Sequence, residues 1–143
     1  MRVTAKTDYA VRAAIEIAAA GGEPRDAEAI STAQEIPVPF LVRILAELGD
    51  AGILTGEGGE ERTYVLARPA AEITVAEIVD AVDGPLASVH SEPPQDLSYS
   101  GSAEPLRDVW LALHESVTGV LGAVDLADLV GGRMPPEITN LSH

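Results

Sequence analysis

The sequence predicts a mainly α-helical, α+β chain of winged helix-turn-helix type, followed by a long C-terminal helix suited to dimerisation. Three observations predict it. Short helical segments with proline and glycine stops fill the first third of the chain. Two β-prone pieces around a glycine-rich stretch then read as a hairpin. Finally, an apolar row from Leu106 to Val124 repeats with the spacing of a coiled-coil seam. The 143 residues suit one modest domain with an accessory arm, and 46% apolar residues is ample for a packed core.

Taken in order, Thr7-Asp8 opens an alanine-rich helix over residues 9–20, with Val11, Ala14, Ile15 and Ala18 on one stripe, and Gly21-Gly22 ends it. Glu23-Pro24-Arg25 reads as a turn, and Asp26 can cap a second helix over 27–34. Pro37-Val38-Pro39 blocks its continuation, because each proline disfavours helical geometry in the residue before it. Pro39 suits the start of a third helix over 39–51, which closes on Gly52. Leu41, Ile44, Leu45 and Leu48 form its inner face, leaving Pro39, Val42, Arg43, Ala46 and Asp50 outside. Residues 53–55 and 63–66 are the two strands of the hairpin. Thr74-Val75-Ala76-Glu77 is a capping box for a fourth helix with Val75, Ile78, Val79 and Val82 inward, stopping at Gly84-Pro85.

The stretch 84–103 is polar and turn-rich. A long helix follows from about Glu104, with Leu106, Trp110, Leu113, Val117, Val120 and Val124 as its seam, widened by Val109 and Leu121. Gly119 and Gly122 each cost about 1 kcal/mol of helix propensity, so packing must hold this helix. Asp125 can cap a short last helix over 126–130. The expected organisation is a winged helix-turn-helix over 1–84, a linker or regulatory loop over 85–103, dimerisation helices over 104–131 and a flexible tail over 132–143.

Composition narrows the function. The chain has no cysteine, which excludes disulfides, thiolate metal sites and cysteine nucleophiles. No apolar run approaches a membrane span, and no export signal opens the chain, so the cytoplasm is the expected compartment. No Ser-His-Asp arrangement, paired-carboxylate motif or metal spacing stands out, and Gly56-x-Gly58-Gly59 lacks what a phosphate loop needs, so no enzyme is expected. A net charge of −14 argues against a nucleic-acid partner until its distribution is considered. Residues 1–68 carry seven basic and eleven acidic side chains, whereas 69–143 carry two and twelve. The cations therefore concentrate in the winged half. Arg43 sits centrally on the outer face of the third helix, where a guanidinium can fork onto guanine O6 and N7; a solvated surface role fits the pattern equally well.

Several ordered motifs resemble those of the Rrf2 family of bacterial regulators, which includes the iron–sulfur cluster regulator and the nitric-oxide-sensing repressor. They are Met1-Arg2-Val3-Thr4-x-Lys6-x-x-Tyr9-Ala10-Val11-Arg12, Ile36-x-x-Pro39-Phe40-Leu41, Leu45-x-x-Leu48-x-x-Ala51-Gly52-Ile53-Leu54 and Tyr64-x-Leu66-Ala67-Arg68-Pro69. Glu72-Ile73-Thr74-Val75-x-x-Ile78-Val79-x-Ala81-Val82-Asp83-Gly84-Pro85-Leu86 continues the likeness, and 106–129 follows it more loosely. The resemblance covers about nine-tenths of the chain. It implies a homodimeric winged-helix DNA-binding regulator, with the long helix crossing its partner at the dimer interface.

Two departures qualify that expectation. Many relatives hold a cluster through three cysteines in the loop matching 84–103, plus a ligand from the first helix. Here that loop has no cysteine, His90 cannot replace three thiolates, and Asp8 reads as an acid favoured at a helix N-terminus. No cofactor and no metal are therefore expected; the expected signal is a small-molecule effector, a partner protein, or none. Second, the wing is acidic: Glu57, Glu60 and Glu61 stand where phosphates approach, and only Arg62 can replace the relatives' wing arginine.

The leading expectation is a sequence-specific transcriptional regulator, a repressor, acting as a homodimer on a pseudopalindromic DNA duplex. Arg2, Lys6 and Arg12 would hold phosphates. Pro39, Phe40, Val42 and Arg43 would face bases, while Gly58 and Gly59 with Arg62 approach the minor groove. Leu106, Trp110, Leu113, Val117, Val120 and Val124 would form the dimer interface; Trp110 also suits the wall of an effector pocket, and His114 is a helix-surface residue. The alternative is an effector-sensing or protein-interaction dimer that has lost strong DNA binding.

Overall fold

The computed structural model describes residues 2–58, 62–84, 92 and 94–139. Thr4, rather than Thr7-Asp8, starts the first helix. Its hydroxyl accepts from the Thr7 amide at 3.1 Å, so α1 runs Ala5–Ala19, four residues earlier than the alanine pattern suggests. The Thr4 and Thr7 hydroxyls both donate to Asp83 Oδ2, at 2.8 and 3.0 Å, which pins this end of α1 to the end of a later helix. The buried face of α1 is Ala10, Ala13, Ala14 and Ile17; of the expected stripe only Ala14 is fully buried, with Val11, Ile15 and Ala18 flanking. Small side chains let α1 serve as the hub, packing against helices from both ends of the chain.

Asp26 caps α2, Ala27–Gln34, by accepting from the Ala29 amide at 2.8 Å. The chain reverses at Glu35, which adopts a left-handed conformation at φ 53°. It then enters α3, Val38–Asp50, with Pro37 at the cap position and Pro39 one residue inside. Proline is tolerated in that first turn because its missing N–H has no partner to lose. Leu41, Ile44, Leu45 and Leu48 are buried, as their spacing predicts.

The sheet holds three strands in the order β1-β3-β2, one more than the hairpin read from sequence. β2, Leu54–Glu57, and β3, Thr63–Leu66, pair antiparallel in the register Leu54↔Leu66 to Glu57↔Thr63. The extra strand is β1, Arg25–Asp26, which lies within and beside the expected turn and pairs Arg25↔Tyr64 and Asp26↔Thr63. Two residues carry no periodicity, so only pairing reveals this strand. Gly56 sits at a close approach: a Cβ there would lie 2.9 Å from the Arg62 side chain and 3.1 Å from the Tyr64 ring, so a larger residue would make them shift.

α4 spans Val75–Val82 behind a Thr74 cap, with Ile78, Val79 and Val82 buried and Val75 half-buried. The predicted capping box forms only on one side, because the Glu77 carboxylate turns away to Arg68. The long helix α5 is Leu106–Gly122, 17 residues, preceded by a 3-10 turn at Gly101–Ala103 and so shorter than expected. Asp125 and Asp128 build a complete capping box for α6, Leu126–Gly131. Leu126 joins the core cluster around α1, and its amide donates to the Ile73 carbonyl at 3.0 Å. The chain thus returns to the winged unit after α5. A single turn of helix, α7, Pro136–Thr139, lies in the segment read as a tail.

Candidate nucleic-acid interface

The outer face of α3 lies exposed beside the hairpin. Phe40 is 38% and Val42 45% exposed, and Pro39 and Arg43 are exposed with them. Large apolar side chains are held in water at this face because the inner row of leucines and Ile44 already fills the core. Phe40 is braced from behind: its ring meets Tyr9 edge-on at 5.6 Å between centroids and 87° between planes.

Arg12 extends this brace. Its guanidinium lies 5.2 Å from the Tyr9 ring centroid, pairs with Asp8 at 2.9 Å, and donates to Gln34 Oε1 at 3.2 Å and to the Gln34 carbonyl. Gln34 Nε2 in turn donates to Glu16 Oε1 at 2.6 Å. This cation, expected at phosphates, ties α1 to the C-terminus of α2 and, through Tyr9, to the first turn of α3. Asp8 does stand in the first turn of α1, but its carboxylate is committed to Arg12.

Lys6 is engaged as well. Its ammonium lies 2.9 Å from Glu47 Oε1, and Glu47 Oε2 is buried with no hydrogen-bond partner among the described residues. Lys6, Phe40, Arg43 and Ile44 line a small cleft of about 60 Å³ between α1 and α3. Arg68 pairs with Glu77; that hydrogen bond raises the guanidinium's pKa and fixes the cation on α4. Arg2, Arg43 and Arg62 make no ion pair among the described residues and stand exposed. The Arg62 stem lies over Gly56 at the mouth of the hairpin, and Gly58 adopts φ 99° at its turn. Gly59, Glu60 and Glu61 lie outside the described residues, as does His90. Sequence reasoning missed Tyr9, Gln34 and Glu47, whose partners sit up to 41 positions away along the chain.

The second exposed surface is on α5, where no residue is buried. Leu106 and Leu113 are each 38% exposed and Val109 is 56% exposed, while Trp110, Val117 and Val120 are half-buried. The Trp110 indole donates to the Tyr99 hydroxyl at 3.1 Å, and Arg107 donates to the Leu97 and Gln95 carbonyls at 2.9 Å each. These contacts fold the preceding loop onto α5, which also packs against α4, while Leu106, Val109 and Leu113 stay exposed among the described residues. Val124 lies beyond the end of the helix, only 6% exposed, and its carbonyl accepts from the Val75 amide at 2.9 Å. It is packed within its own chain, because α5 ends at Gly122 and the chain there turns back to the winged unit. Among the described residues no group of three or more His, Cys, Asp or Glu side chains is placed to hold a metal ion. Nor is any helix among them long and apolar enough to cross a membrane.

Comparison with known proteins agrees with this architecture. The Rrf2 family profile, described as an iron-dependent transcriptional regulator, matches residues 3–132. A protein of Mycobacterium tuberculosis named among the HTH-type transcriptional regulators is 43% identical over 143 residues, 99% of this chain and 89% of its own. The HTH-type transcriptional regulator IscR of Cereibacter sphaeroides is 31% identical over 141 residues, covering 95% of this chain and 91% of its own. Among solved structures, IscR of T. potens superposes with a TM-score of 0.72 at 26% identity, over 92% of this chain and 88% of that one.

Proposed function

Since the chain belongs to the Rrf2 family of winged-helix transcriptional regulators, not enzymes, we propose that it is a homodimeric repressor that reads a pseudopalindromic duplex without an iron–sulfur cluster. The observation that carries the reading is the outer face of α3. There Arg43, free of any acid partner among the described residues, projects with exposed Phe40 and Val42 beside the hairpin. A guanidinium so placed can form a forked pair with guanine, and apolar neighbours can meet thymine methyl groups. Arg2 supplies a phosphate contact near the start of α1, and Arg62 another at the wing.

The exposed apolar row of α5 supports dimerisation. A helix with an exposed apolar row gains stability by pairing with its copy, and a two-fold pair would set two α3 helices about one DNA turn apart. The family description names iron dependence, and an iron–sulfur cluster of the kind the resemblance implies does not fit this donor set. The chain has no thiolate, and Asp8, the acid on α1, is held by Arg12. A signal, where there is one, reaches this protein as a small molecule or a partner protein.

A mobility-shift titration against DNA upstream of its own gene, repeated at several salt concentrations, tests the reading. A discrete complex that competitor DNA of random sequence does not remove is the expected result. Failure to bind any duplex at low salt would leave the effector-sensing or protein-interaction dimer in its place.

A further inference from the structure

Lys6 and Glu47 are the pair that the DNA-binding reading leaves unexplained. Lys6 lies in the second residue of α1, on the face turned to α3, and helps line the cleft with Phe40, Arg43 and Ile44. A backbone phosphate approaching Arg43 would meet its ammonium. Glu47, one turn further along α3 from Arg43, already occupies that ammonium at 2.9 Å. Its other oxygen is buried without a partner among the described residues, so Lys6 is the carboxylate's single recorded counter-charge. Releasing Lys6 to DNA would strand a partly desolvated anion on the helix that reads the bases.

Resting on the DNA-binding reading above, we propose that Glu47 is an internal competitor of the DNA backbone for Lys6, lowering the affinity of the α3 surface for any duplex. The competition is electrostatic and independent of sequence, because phosphates are alike at every site. It therefore weakens specific and non-specific binding together and leaves the discrimination made by Arg43 unchanged. In a chain of net charge −14, a carboxylate so close to the reading face matters, since few cations remain to hold phosphates. With Lys6 and Arg12 both engaged, Arg2 and Arg62 carry most of the phosphate contact, and the salt dependence of the wild-type dimer lies near a slope of about −4.

The test is a double-mutant cycle by fluorescence anisotropy on one specific and one random duplex, each at four salt concentrations. The proteins are the wild type, Glu47→Gln, Lys6→Met and the double variant, each checked for folding by thermal melting. Glutamine keeps the shape and a hydrogen-bonding oxygen while removing the charge. The expected result is that Glu47→Gln binds both duplexes about three- to tenfold more tightly and steepens the slope by roughly 2 per dimer, one released cation per subunit. In the Lys6→Met background the same substitution should change affinity less than twofold. An equal gain without Lys6 would show that Glu47 acts through net charge alone and overturn the proposal. No gain in the wild-type background would overturn it too. If Glu47→Gln melts early, Glu47→Ala replaces it in the same cycle. If none of the four proteins binds either duplex at low salt, the DNA-binding reading itself falls and takes this one with it; binding by the wild type without the coupling removes this one alone.

Discussion

Arg12 and Arg43 carry the same charge on neighbouring helices and have opposite surroundings. Among the described residues Arg43 pairs with no acid, so its guanidinium is available to a base edge. Arg43→Ala should cost about 1–3 kcal/mol on the specific duplex and little on random DNA, measured by competitive mobility shift. Equal losses on both duplexes would move Arg43 from base reading to backbone contact. Arg12 is surrounded by Asp8, Gln34 and the Tyr9 ring. Its ion pair, ring contact and hydrogen bonds together are worth roughly 1–2 kcal/mol. Arg12→Met should therefore lower Tm by about 4–8 °C. The slope of log affinity against log salt should stay unchanged. A flattened slope with an unchanged Tm would restore Arg12 to the phosphates.

At the scale of elements, the helix starts carry much of the fold's definition. Thr4, Asp26, Thr74 and Asp125 each satisfy an amide that its helix leaves unpaired. Thr4 does more, because its hydroxyl also donates to Asp83 and so links α1 to the C-terminus of α4. Thr4→Ala should destabilise the fold by about 1–2 kcal/mol, the usual value of a cap with one further hydrogen bond, read from urea unfolding. A loss below half a kilocalorie per mole would mean that Thr7 holds Asp83 unaided. The hairpin depends on a different device. Gly56 gives room to the Arg62 stem and the Tyr64 ring, so the one arginine that can replace the relatives' wing arginine packs across a position with no side chain.

For the whole molecule, the decisive feature is the exposed apolar row of α5. The loop before it is folded onto one side by Arg107 and Trp110, and Leu106, Val109 and Leu113 remain open. Leu113→Asp places a charge on that row, at a residue 38% exposed. Light scattering should then report monomers with unchanged helical content. A variant that stays dimeric would place the interface elsewhere. The donor set makes a second prediction at this scale: protein purified anaerobically should be colourless and contain no stoichiometric iron, by absorbance and elemental analysis. Bound iron and sulfide would show that oxygen and nitrogen ligands suffice.

What the sequence determined alone is whatever repeats locally. The inner row of α3, the caps at Asp26, Thr74 and Asp125, the hairpin strands and the apolar side of α5 all follow from spacing within a few turns, where each residue's neighbours are set by helix or strand geometry. The order of those elements indicated a winged helix-turn-helix, and the residue motifs along them carried the likeness to the family. What only the tertiary structure decided is which groups meet across distance. β1 exists because Arg25 and Asp26 find Thr63 and Tyr64, a pairing with no periodic trace in two residues. Val124 continues the seam in sequence yet is buried in its own chain, since the helix ends at Gly122. Lys6 and Arg12 look like free cations until packing brings Glu47 and Gln34 within hydrogen-bond reach. An ion pair is a matter of ångströms in space, and two charges 41 residues apart leave no pattern along the chain by which to recognise each other.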